Sequence, residues 1–174
     1  MKPREIQLRR RLRWTTAAFM AALVVSGVTA MPLETELAWA CRAFGWTGPR
    51  IEPGPGPGLE GWLRHVWHGL EATNAAFPWM GYGFDWLAFG HVVIAIAFVG
   101  AWRDPVRNRW LYDFGLIACA LVLPWAFFCG QARGIPLPWR LVDMAFGVVG
   151  VLPLWLCRRW TRELETVTGL SRKI

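Results

Sequence analysis

Three stretches of this chain, residues 84–102, 110–129 and 139–157, are long and apolar enough to cross a lipid bilayer, and a fourth, residues 14–32, reads the same way. About 20 helical residues at about 1.5 Å each match a hydrocarbon core of about 30 Å. Inside hydrocarbon no water satisfies a backbone N–H or C=O, so each crossing segment must close its own hydrogen bonds as a helix. The expected fold class is therefore an all-α integral membrane protein. A four-transmembrane-helix bundle forms one membrane domain over residues 1–174, with tails at 1–13 and 158–174.

Tryptophan supports this spacing, because its ring favours lipid while its N–H stays at the wet interface. Trp86 and Trp102 bracket the second span, Trp110 and Trp125 the third, and Trp139 and Trp155 the fourth. The separation of fifteen or sixteen residues is roughly 24 Å along a helix, close to the core thickness once interfacial depth is included. A soluble helical protein would show a polar stripe along each helix, and these segments are apolar nearly all round. A hydrophobic fraction of 55% and a mean hydropathy of +0.29 agree.

A net charge of +7 is compatible with a nucleic-acid partner, but its placement argues for topology instead. Lys2, Arg4, Arg9, Arg10, Arg11 and Arg13 precede the first span. Arg103, Arg107 and Arg109 separate the second from the third, and Arg158, Arg159, Arg162, Arg172 and Lys173 follow the fourth. Only Arg42, Arg50, Arg64, Arg133 and Arg140, of 19 basic residues, fall on the other side. The positive-inside rule then puts both termini in the cytoplasm of a multi-pass protein, with a bacterial inner membrane as the expected location. The same arginines suit anionic lipid. Val28-Thr29-Ala30 after a basic start also resembles a signal-peptide cleavage site. Retention is expected, because the apolar run from Trp14 to Leu33 is longer than a usual signal core.

Residues 33–83 then lie outside the cytoplasm. Pro53-Gly54-Pro55-Gly56-Pro57-Gly58 can be neither helix nor central strand and divides this segment. Before it, Leu37, Cys41 and Phe44 recur at helical spacing. After it, Leu59, Trp62, Leu63, Val66, Trp67 and Leu70 form an apolar face, largely opposite Glu60, Arg64, His68 and Glu71. Two short interfacial helices are the expectation. His65 and His68, at i and i+3, are weak metal candidates that need a further carboxylate such as Glu34, Glu60 or Glu71. Cys41 and Cys129 share the oxidising side and are the one candidate disulfide, whereas Cys119 and Cys157 read as small packing residues. In size and topology alone the chain resembles the quinone-linked enzymes that make disulfides. It lacks their Cys-x-x-Cys pair.

Ionisable residues within spans are costly and therefore point to function. By helical rise His91 lies about 7.5 Å below Trp86 and Asp143 about 6 Å below Trp139. With Asp85, Gln131, Arg133 and Arg140 at the rim, these residues are the candidate ligand-binding group. The bland reading pairs Asp143 with Arg140 and gives His91 a backbone carbonyl. The similar wording Asp85–Val93 and Asp143–Val149 reads either as a duplication in which Gly90 and Gly147 allow close helix approach or as coincidence in a Phe- and Gly-rich chain, which Phe114-Gly115 in the third span supports. On the cytoplasmic side, Arg103, Arg107, Arg109 and Asp113 are candidates for a lipid headgroup, Asp113 pairing with Arg107 or Arg109 and Asn108 capping the next helix. Pro124 and Pro153 are expected to bend the third and fourth helices, each freeing a backbone carbonyl.

Serine-hydrolase, zinc-protease and phosphate-loop signatures do not occur. The expected role is a non-catalytic accessory, assembly or small-ligand-binding component with no cofactor. Its partners are the bilayer and a protein subunit or second copy, not nucleic acid. The rival is a small membrane enzyme or transporter with an outer polar pocket at His91 and Asp143.

Overall fold

The apolar runs become continuous helices. The computed structural model describes residues 3–46 and 56–169. It contains α1 (Pro3–Ala30), α2 (Leu33–Ala43), α3 (Gly58–Ala76), a 3₁₀ turn (Pro78–Gly81), α4 (Tyr82–Arg103), α5 (Trp110–Ala132) and α6 (Leu137–Thr168). The segments Pro3–Ala30, Pro78–Arg103, Trp110–Ala132 and Leu137–Thr168 are each long and apolar enough to cross a membrane, as in a multi-pass membrane protein. α5 and α6 run unbroken through Pro124 and Pro153.

The helices at the two ends are longer than a bilayer requires. α1 has 28 residues and α6 has 32, roughly 42 and 48 Å at the helical rise. The residues expected as tails continue these helices over 3–13 and 158–168. The excess is held by packing: Leu8, Leu12 and Thr16 of α1, spaced by four, are buried, as are Cys157, Thr161 and Leu164 of α6, spaced by four and three. Arginines fill the exposed positions between them.

Two compact units emerge, one comprising Met1–Ala22 with Ile94–Ile174, the other Leu23–Val93. The first has a core of Leu8 and Leu12 from α1, Phe98 and Ala101 from α4, Leu111 and Tyr112 from α5, and Leu154, Cys157 and Leu164 from α6. Its closest seam joins α5 to α6. A Cβ on Gly147 would stand 2.6 Å from the Cys119 carbonyl oxygen, so only glycine lets the backbones meet there. Gly90 faces open space and makes no such approach, unlike the close helix contact that its shared wording with Gly147 suggested.

In the second unit, α2 buries Leu37, Ala38 and Cys41, while Phe44 is exposed. The Asn74 amide of α3 donates to the Glu34 carboxylate of α2. α3 begins after Pro57, whose extended backbone (φ −66°, ψ 145°) ends the Pro-Gly run; Pro53, Gly54 and Pro55 lie outside the described residues. Farther along, α1 and α4 touch at Gly27, where an added Cβ would be 2.7 Å from the His91 Cβ and 3.0 Å from the Ala88 carbonyl oxygen.

Candidate functional site

His91 sits in the middle of α4. Its Nδ1 lies 2.8 Å from the Leu87 carbonyl oxygen one turn earlier, a geometry in which the ring N–H donates to its own helix. This is the backbone partner weighed for His91 from the sequence. Asp85, one and a half turns nearer the start of α4, lines an open cavity of about 550 Å³. Glu34, Thr35, Asn74, Trp79 and Tyr82 line the same space. The carboxylates of Asp85 and Glu34 and the amide of Asn74 supply polar groups to its lining, and Trp79 and Tyr82 aromatic ones.

Asp143 is half-buried on α6. Among the described residues no ion pair joins it to Arg140. The Arg140 guanidinium donates from Nη1 to the Phe127 carbonyl oxygen at 3.2 Å and lies 5.2 Å from the centre of the Phe127 ring. Its aliphatic stem rests on Gly130, where an added Cβ would meet it at 2.6 Å. Arg140 thus ties the start of α6 to the end of α5. Gln131 and Arg133 are exposed beside it, and the Arg133 N–H closes the helix end on the Cys129 carbonyl at 3.0 Å.

At the basic end the pairing differs from what local spacing suggests. Asp113 takes Arg158 of α6 as its partner, not Arg107 or Arg109. Arg109 instead meets Glu165 at 3.0 Å. Arg4 holds Glu163, and Arg9 holds Glu5 at 3.0 Å. Asn108 does not cap α5: its amide donates at 3.0 Å to the Gly100 carbonyl in the last turn of α4 and to the Asp104 carbonyl just after it, each of which also accepts a backbone N–H. The Asp104 carboxylate accepts the Arg107 backbone N–H at 3.0 Å. Arg103 and Arg107 are exposed. Three guanidiniums lie over indoles nearby: Arg11 over Trp160, Arg13 over Trp102 and Arg159 over Trp155, at 5.8, 5.9 and 5.7 Å.

His68 Nδ1 faces Glu71 Oε2 at 3.4 Å and its ring stacks on Trp67, while the His65 ring lies 5.9 Å from that of Trp62. Glu60 is held by Arg64 at 3.2 Å. Among the described residues no three His, Cys, Asp or Glu side chains stand close enough to hold a metal ion. Cys41, Cys119, Cys129 and Cys157 are free thiols. Cys41 is fully buried and Cys129 exposed. Burial pushes the Cys41 thiol above its ordinary range, outweighing the opposite pull of the Arg64 guanidinium.

Spacing arguments passed over one polar group. The Thr16 hydroxyl shares a 2.8 Å hydrogen bond with the Tyr112 hydroxyl and lies 3.7 Å from Cys157 Sγ, with all three side chains at most 2% exposed. It links α1, α5 and α6 inside the core of the first unit. Its signal in the sequence was a Thr and a Tyr within apolar spans; polar groups so placed need partners. No family model, curated protein or solved structure matches the chain.

Proposed function

We propose that the chain is a four-helix bundle in a bacterial inner membrane, with both termini cytoplasmic and α2 and α3 outside, serving as a non-catalytic accessory, assembly or small-ligand-binding component. One observation carries the non-catalytic reading: the ionisable side chains with partners are used to brace helices. Asp113 and Glu163 each hold an arginine from another helix, Glu165 holds Arg109 of the α4–α5 turn, and the His91 ring is bonded to its own helix. A reacting group must be exposed toward a substrate and tuned for proton or electron-pair transfer. These groups are committed to one another instead.

The membrane part of the proposal draws support from apolar side chains facing away from the core. Ile117, Leu121, Phe128, Phe146 and Val149 are 61–70% exposed, a surface that water would penalise and that lipid or neighbouring helices would cover. Affinity purification from native membranes, followed by mass spectrometry of proteins and lipids, tests the role. A stoichiometric protein partner is the expected result. A retained small molecule that is converted during incubation would contradict it.

A further inference from the structure

We infer that the groove between the first turns of α1 and Trp102 of α4 is a binding site for one anionic phospholipid. The groove holds about 740 Å³ and is lined by Glu5, Ile6, Arg9, Arg10, Arg13, Trp14, Ala17 and Trp102. Three arginines face one glutamate there, and that glutamate is occupied by Arg9 at 3.0 Å. Arg10 and Arg13 are exposed, and among the described residues neither is paired with a carboxylate. The Arg13 guanidinium lies 5.9 Å from the Trp102 ring centre, both residues lining the groove.

The order of residues along α1 suits a lipid better than a free anion. Leu8, Leu12 and Thr16 turn into the core, so Arg10, Trp14 and Ala17 lie on the opposite face, with Arg13 and then Arg9 on its flank. Moving into the span beyond Ile6, the guanidiniums of Arg9, Arg10 and Arg13 are followed by the apolar Trp14 and Ala17. A phosphodiester would accept from Arg10 and Arg13, while acyl chains would cover Trp14, which is 73% exposed. Arg109 beside the α4–α5 turn is less suited, because Glu165 already holds it.

This inference rests on the membrane-spanning part of the proposed function, not on the accessory role. The test uses the full chain purified in detergent, with native mass spectrometry and thermal shift against phosphatidylglycerol, phosphatidylcholine and inorganic phosphate. Phosphatidylglycerol should bind and raise the melting midpoint, and the other two should do neither. Arg10→Gln and Arg13→Gln should each weaken retention about fivefold, since one basic residue contributes about 1 kcal/mol at an anionic surface. Arg162→Gln, an exposed arginine outside the groove, should leave it unchanged. Arg13→Lys keeps the charge and shows whether any loss in Arg13→Gln is one of folding. Equal retention in Arg10→Gln, or stabilisation by inorganic phosphate alone, would overturn the site. Release of the chain from membranes by alkaline carbonate would instead overturn the membrane reading on which it stands.

Discussion

At the scale of single residues, polarity inside the spans is settled by pairwise bonds. Tyr112→Phe removes the hydroxyl that Thr16 meets at 2.8 Å, and Thr16→Val removes the other half. Hydrogen bonds between membrane helices average about 0.6 kcal/mol and reach about 1.7. Each substitution should therefore lower the stability of the detergent-solubilised protein by about that much, with the double variant costing less than the sum. Strict additivity in thermal melts would mean that the two hydroxyls do not interact. Cys41 makes a second case. Its raised pKa keeps the thiol protonated and unreactive, so at pH 8 a maleimide should modify it only after unfolding. The folded pKa lies above the unfolded one, so its contribution to stability is intact below the ordinary thiol range near pH 8.5 and falls as pH rises beyond it. Rapid labelling of the native protein at Cys41 would contradict the buried placement.

At the scale of helices, α5 and α6 are joined by backbone proximity at Gly147. Gly147→Ala would force a methyl group to 2.6 Å from the Cys119 carbonyl, and overpacking of this kind costs about 1–3 kcal/mol. Gly90→Ala enters open space and should be neutral within about 0.5 kcal/mol. Equal melting midpoints for the two variants would show that the close approach is absent. The elements themselves were legible in the sequence, because apolar runs and bracketing tryptophans report span length directly. Their extensions were harder to read. The arginines of residues 3–13 look like a solvated tail, and the Leu8, Leu12 and Thr16 seam that makes them helix surface shows only against a partner helix. Ion pairs were the least legible: Asp113 and Arg158 are 45 positions apart, and spacing along one helix cannot anticipate a partner on another. Asn108 could have capped either neighbour, and three-dimensional placement assigned it to the end of α4.

At the scale of the whole molecule, the account turns on the asymmetric distribution of charge. Basic residues gather where α1 begins, α4 ends, α5 begins and α6 ends, and ion pairs and indole contacts hold several of them in place there. The candidate ligand group of Asp85, His91, Gln131, Arg133, Arg140 and Asp143 was drawn from depth along individual helices. Depth alone does not tell which side chains are already occupied, as Arg140 is by the Phe127 carbonyl. The central claim is that this basic end faces the cytoplasm and the helices cross the bilayer four times. Reporter fusions after Lys173, within residues 103–109 and within residues 53–58 test it most directly. The first two should report cytoplasm and the third the outside; an outside signal at the C-terminus would contradict the four-span account.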